Sequence, residues 1–340
     1  MQILRAESLR SLNTLALDCR AQALVTVSSD DEIREAITWA LAEGLPVLPL
    51  GGGSNVVLRD TLEYLVLRQK PREITPLQEL ADRVLLRVPA ACNWHHLVCQ
   101  TLERNLYGLE NLALIPGEAG AAPIQNIGAY GVELERFVHA VHALDIENGR
   151  ALTLTAQECR FGYRDSIFKG ELRDRVVITD VDLALYMRPH VQLTYPALQE
   201  EMAKRGIHEP QPRDVFDAVV SVRRRRLPDP SAEPNVGSFF KNPVLSADHA
   251  RELLSAHPEL PCYEQDDGSV KVPAAWLIEQ CGWKGRREGG VGVHPQHALV
   301  LVNHASASGT ELLSFADRIA TSVRDRFEIE LEMEPRVYGA

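Results

Sequence analysis

The 340-residue chain has no excess of basic charge: 36 lysines and arginines stand against 47 acids, a formal net charge of −11. Tracking a phosphate backbone needs an electropositive surface, so broad nucleic-acid binding is excluded, while a small anion held by a few local arginines is not. Long apolar runs are also missing. Stretches such as Ala298 to Val302 fall far short of the roughly 20 residues that cross a bilayer. The N-terminal segment carries Arg5, Glu7, Arg10, Asp18 and Arg20, with no apolar core of a signal peptide. Cys19, Cys92, Cys99, Cys159, Cys262 and Cys281 form no C-x-x-C pair and read as reduced thiols of a cytosolic protein. His95-His96 and His294-x-x-His297 match no strong metal spacing, so no metal is expected. There is no internal repeat and no low-complexity segment. With 45% hydrophobic and 24% charged residues, the chain can bury a full core, and its length suggests two or three domains.

Helices and strands alternate without regular βαβ repetition, which indicates an α+β fold. Ser29-x-x-Glu32 has the form of a capping box, with Ile33, Ala36, Ile37, Ala40 and Leu41 on one helical face and Gly44 as the stop. Leu45–Leu50, Tyr64–Leu67 and Val84–Val88 read as strands, and Asn93 as the cap of the next helix. Residues 111–131 are glycine-rich and poor in charge, the character of a long ordered loop. A helix marked by Val215, Val219 and Val222 ends at Leu227-Pro228-Asp229-Pro230, where a domain boundary is expected. Helices follow near Ser246–His257, Ala274–Cys281 and Thr310–Phe327. Glu328, Glu330, Glu332 and Glu334 alternate with Ile329, Leu331 and Met333 as in a half-exposed strand.

Two segments have the chemistry of a nucleotide site. Gly51-Gly52-Gly53-Ser54-Asn55 directly follows a strand, so backbone N–H groups there can approach a diphosphate. Taken alone, it reads more readily as a glycine-rich turn. It is not the G-x-G-x-x-G fingerprint, and no Walker A sequence occurs. Ile115-Pro116-Gly117 and Pro123-Ile124-Gln125-Asn126-Ile127-Gly128-Ala129-Tyr130-Gly131 form a second such loop. Together the two could hold both ends of an extended dinucleotide.

Three further blocks carry reactive side chains. In Cys159-Arg160-Phe161-Gly162-Tyr163-Arg164-Asp165, Arg164 sits among apolar neighbours and pairs with Asp165 or with a substrate carboxylate. Gly237-Ser238-Phe239-Phe240-Lys241-Asn242-Pro243 contains S-x-x-K, the acyltransferase nucleophile motif, but the chain has neither K-T-G nor S-D-N. Arg223 to Arg226 form a basic helix end, either solvated or a landing site for phosphate.

Taken in order, these blocks resemble the UDP-N-acetylenolpyruvoylglucosamine reductases over nearly the whole chain, from Asn13-Thr14 to Arg336. Tyr195 in Leu193-Thr194-Tyr195 resembles the longer subtype, which folds a tyrosine-bearing loop over its substrate. The resemblance implies an FAD-binding region over residues 1–225, of the vanillyl-alcohol-oxidase-like kind, with its core at about 18–188. Two α+β subdomains would divide near residue 70. A C-terminal α+β substrate-binding domain, 226–340, would return its terminal strand to the active site.

It further implies non-covalent FAD, NADPH as reductant, and ping-pong reduction of UDP-N-acetylglucosamine enolpyruvate by a monomer in the bacterial cytoplasm. Neither nucleic acid nor membrane would be a partner. By the same resemblance Arg164 and a protonated Glu332 stabilise charge on the substrate carboxylate, and Ser238 donates a proton. Gly51–Asn55, Ile115, Pro116, Gly117, Pro123, Ile124, Gln125, Asn126, Gly128, Ala129 and Gly131 would line the cofactor. Tyr163, Tyr195, Arg226, Lys241 and Asn242 would contact the UDP-sugar. Two departures stand out: Arg226 replaces a frequent lysine, and Leu331-Glu332-Met333-Glu334-Pro335-Arg336 displaces the proline of the usual L-E-P-E-V-R. A slip there would present Glu334 instead of Glu332. A flavin oxidase of the same cofactor fold, acting on a small alcohol or lactone, is the alternative, and Gly237–Pro243 and the terminal segment argue against it.

Overall fold

The computed structural model describes every residue except Asp266, Ser306 and Ala340. It divides into two compact units. The first holds residues 1–7, 21–53 and 63–225, and the second holds residues 8–20, 54–62 and 226–340.

The first unit is built on two sheets. In one, the strand order is Ile3–Ser8, Arg20–Val27, Thr61–Gln69, Val47–Pro49, with the last two parallel. The Asp30–Glu43 helix belongs to it, and its ends follow from its sequence. The Ser29 hydroxyl accepts the Glu32 N–H at 3.3 Å, while the Glu32 carboxylate accepts the Ser28 N–H, a capping box closed one residue early. Gly44, at φ 69°, ends the helix in the left-handed region. Ile33, Ala36, Ile37 and Ala40 are buried against Val25, Val47 and Leu65. Leu41, at the margin of that stripe, remains exposed.

The other sheet is five-stranded, in the order Ala151–Thr155, Val138–Asp145, Val176–Tyr186, Arg83–Pro89, Thr75–Glu79, with every pairing antiparallel. Its central strand, Val176–Tyr186, is buried almost throughout. Burying Asp182 is tolerable because Arg87 binds it with two hydrogen bonds of 2.8 Å and His142 Nε2 lies at 2.7 Å. Asn93 caps the Trp94–Glu103 helix by accepting the His96 N–H.

In the second unit, an antiparallel sheet runs Asn235–Ser238, Val300–Asn303, Val291–Val293, Arg287–Glu288. The helices Ala247–Ala256, Ala274–Gln280 and Gly309–Phe327 fall where the sequence places them. Their apolar faces share one core with Leu15, Leu17 and Val57 from the early segments. Arg336–Tyr338 pairs in parallel with Val56–Leu58.

Two sequence expectations need correction. Residues 111–131 are not plain loop: they include short 3-10 turns at Glu110–Leu112 and Ala119–Gln125 and a hairpin of Gly128–Ala129 with Val132–Glu133. Elements of two to seven residues are too short to show a hydrophobic period. Residues 328–334 form no strand. Glu328 adopts φ 58° to end the preceding helix, and only an isolated bridge joins Met333 to Phe240. The alternation of burial persists through Glu332, and strand pairing begins only after Pro335.

Candidate active site

In the first unit the two glycine-bearing loops meet backbone to backbone. A Cβ on Gly52 would lie 3.3 Å from the Cα of Gly117, which itself has φ +109°. Side chains are thus excluded where a ligand would need bare amides. Gly53 at φ +60° turns the chain away. A Cβ on Gly51 would meet Glu118 Oε2 at 2.8 Å. No hydrogen bond reaches that carboxylate among the described residues. Its nearest cation, Arg68 Nη2, lies 3.9 Å away, and the buried Arg68 Nε has no hydrogen-bond partner. Burial, only partly offset by Arg68, raises the Glu118 pKa to about 7.

The second loop is stitched down along its length. Trp94 N–H donates to the Gly117 carbonyl, Ala119 N–H to Cys92, and Gly120 N–H to Ala90. Ser166 Oγ donates to the Ile124 carbonyl at 2.7 Å. Asn126 is wholly buried; its amide donates to Glu133 Oε2 and the Gly162 carbonyl, and its oxygen accepts the Glu135 N–H. All three bonds are internal, so this side chain shapes the loop.

Arg164 stands in the left-handed region at φ 52°, a conformation that costs a non-glycine residue about 1–3 kcal/mol and persists where surroundings enforce it. Its Nη2 donates to the Gly128 carbonyl at 2.7 Å, and its guanidinium lies 5.3 Å from the Tyr163 ring centre. The Asp165 carboxylate accepts the Ser166 N–H. Tyr195 meets Tyr130 edge to face at 5.2 Å. Asn111 fixes that neighbourhood by donating to the carbonyls of both Tyr130 and Gln192.

The arginine run at residues 223–226 is not one solvated patch. Arg225 turns to Glu201, whose carboxylate it grips at 2.5 Å. Arg223 turns inward: its buried Nε lacks a hydrogen-bond partner. Burial lowers its pKa, with Tyr130 opposing and the Arg164 guanidinium adding to the effect. Sequence reasoning missed Arg68 and Glu118 as candidate site residues and did not separate Arg223 from the rest of its basic run. The only signal for Arg223 was its place on the valine-bearing side of the helix, four residues after Val219.

In the second unit, Gly237 at φ +71° leads into Ser238, which is half-buried and pairs with Val300. Phe239 and Phe240 are fully buried and pack edge to face. Lys241 N–H donates to the Glu332 carbonyl, and Glu334 N–H to the Phe239 carbonyl, both at 2.9 Å. This register sets the Glu332 carboxylate against Lys241 Nζ at 2.5 Å. Glu332 is two-thirds exposed, and its side-chain contact here is with Lys241. Asn242 Oδ1 accepts the Ala274 N–H and caps a helix, while the Asn55 carbonyl accepts the Arg336 N–H. Arg226 is exposed; beside it His297 is pushed down to about 4, by burial first and then by Arg226, His294 and Lys284.

Comparison with known proteins places these loops. Residues 21–155 match the FAD binding domain family, and residues 229–338 match the C-terminal domain of UDP-N-acetylenolpyruvoylglucosamine reductase. The whole chain is 49% identical over 333 residues to the UDP-N-acetylenolpyruvoylglucosamine reductase of Xylella fastidiosa, covering 98% of this chain and 95% of that protein. It is 46% identical over 331 residues to that of Pseudomonas aeruginosa, covering 97% of each. The solved reductase from Thermus caldophilus shares the fold, with a TM-score of 0.67 at 24% identity over 99% of this chain and 98% of that one. The fold and the loop chemistry define a flavoprotein of the α+β class. Within that class, the chain belongs to the UDP-N-acetylenolpyruvoylglucosamine reductase family.

Proposed function

We propose that this protein reduces UDP-N-acetylglucosamine enolpyruvate to UDP-N-acetylmuramate at the expense of NADPH, through non-covalent FAD, in peptidoglycan precursor synthesis. The observation that carries this reading is 49% identity across 98% of the chain to a reductase of that name. The residues fit the cofactor: without side chains at positions 52 and 117 the two loops approach backbone to backbone, so their amides can face a diphosphate, and Gly53 turns the chain beside them. When bound, FAD would pass a hydride from NADPH to the terminal enol carbon of the substrate.

The chain's own residues then manage charge and protons. Carbanion character at the carbon beside the substrate carboxylate delocalises onto its oxygens, where Arg164 and Glu332 supply a cation and an acid. Glu332 must exchange its ion pair with Lys241 for a proton to serve as that acid. Ser238 donates the proton that completes the reduction. A serine can do so only with water excluded and the geometry immediate, which suits a half-buried strand residue beside two buried phenylalanines. Tyr163, Tyr195, Arg226 and Lys241 contact the UDP-sugar, and Asn242 orders the segment that presents Lys241. The protein works as a monomer in the bacterial cytoplasm.

Steady-state NADPH oxidation under anaerobic conditions tests the reading. Oxidation that starts only when the enolpyruvyl sugar is added supports it. Turnover that instead needs oxygen and a small alcohol or lactone overturns it in favour of an oxidase.

A further inference from the structure

We propose that Glu118 is a proton-linked part of the cofactor site: it must hold a proton for a diphosphate to seat tightly on the Gly51–Gly53 loop, so that FAD binding takes up a proton. This rests on the reading that the loop holds the FAD diphosphate. The geometry is local to the first unit. The Glu118 carboxylate occupies the space a side chain at position 51 would fill, with Oε2 2.8 Å from the place of that absent Cβ. An ionised carboxylate there adds a negative charge beside a ligand that brings two more, and in a partly desolvated loop such like charges repel strongly.

Two titratable groups face Glu118. Arg68, from the Thr61–Gln69 strand, approaches only to 3.9 Å and makes no hydrogen bond to it. The Cys92 thiol, just before the Trp94–Glu103 helix, is pushed up to about 11, by burial first and then by Glu118 itself, and stays neutral. Arg68 therefore supplies weak compensation in the free protein. A bound diphosphate would compete for that same guanidinium, whose buried Nε lacks a partner, leaving Glu118 with less reason to be charged. With the carboxyl poised near neutrality by burial, the linkage falls within the physiological range. The sign is fixed: the bound state favours the protonated acid, so affinity is full below the free-protein value and declines as pH rises through it.

The test is FAD binding to the full-length apoprotein, followed by quenching of flavin fluorescence between about pH 6 and pH 8.5. Calorimetry at about pH 7.5 in two buffers of different ionisation enthalpy accompanies it. Wild type should bind about tenfold more weakly at the alkaline end, the equivalent of one unit of pKa shift, with net proton uptake. Glu118→Gln should bind with the same affinity at both ends and take up no proton. A pH-independent wild-type affinity without proton uptake, or an unchanged pH slope in Glu118→Gln, overturns the proposal while leaving the cofactor reading intact. Absence of saturable FAD binding at every pH overturns both. Should Glu118→Gln fail to fold, the wild-type proton count decides alone.

Discussion

Lys241 Nζ lies 2.5 Å from Glu332 Oε1, and the same two residues are joined a second time through the Lys241 N–H and the Glu332 carbonyl. The lysine side chain is 14% exposed and the glutamate 67%, so a largely buried cation holds a largely exposed acid. Under the proposed reaction this contact must open before Glu332 can carry a proton. Because Lys241 is also proposed to contact the UDP-sugar, Lys241→Met should slow reduction of the enolpyruvyl sugar at least about tenfold (~1.4 kcal/mol). Flavin bleaching by NADPH should be unchanged, and Lys241→Arg should recover part of the loss. Stopped-flow measurement of the two half-reactions checks this; equal loss in both would contradict it.

Ser238→Ala should lower the substrate half-reaction by about 10²- to 10⁴-fold, the usual contribution of a positioned proton donor. NADPH bleaching should stay within about twofold of wild type. The rates of bleaching and recolouring, measured separately, decide whether Ser238 acts on the proton.

Gly52→Ala places a methyl group 3.3 Å from the Gly117 backbone. The two loops must part by a few tenths of an ångström, so FAD affinity should fall about tenfold (~1.4 kcal/mol). Apoprotein thermal stability should barely change. A titration of the apoprotein with FAD, alongside thermal unfolding without it, separates the two effects.

Two buried acids should act on stability in opposite directions. Burial alone would push Asp182 up, but hydrogen bonds from Arg87 and then His142 hold it down, at about 2. Its depressed value contributes roughly 2 kcal/mol that is present above about pH 4 and lost as pH falls toward 2. Glu110 is raised to about 7, by burial against weaker hydrogen bonds from its own and the Gly108 backbone. A raised acid destabilises the fold as pH climbs from about 4.5 to 7, by at most about 3 kcal/mol. Glu110→Gln should therefore stabilise at pH 8 and not at pH 4, and Asp182→Asn should flatten the acid limb below about pH 4. Denaturant unfolding across that range reads both.

What the sequence disclosed depended on how local the cause was. The Ser29 and Asn93 caps, the Gly44 stop and the three C-terminal helices are set by neighbours within a turn, and each stands where its pattern puts it. The Ala119–Gln125 turn was invisible because its bonds run to Ala90 and Cys92, far away in sequence. The acidic alternation after Phe327 reported burial but not pairing, since the partner Val56–Leu58 is reached only from Arg336 on, and before it Met333 makes just an isolated bridge to Phe240. Arg164 and Ser238 stand out as candidates only through the family resemblance of the segments that hold them. Arg68 and Glu118 became visible only through their packing against one another, and Arg223 stood apart from its basic run only through its buried, unpartnered Nε.

The central claim is that reducing equivalents pass through flavin to an enolpyruvyl sugar, and an anaerobic spectrum in two steps tests it most directly. NADPH should bleach the flavin of the purified protein, and UDP-N-acetylglucosamine enolpyruvate should then restore the colour without oxygen. A flavin that stays bleached after the sugar is added would contradict the claim.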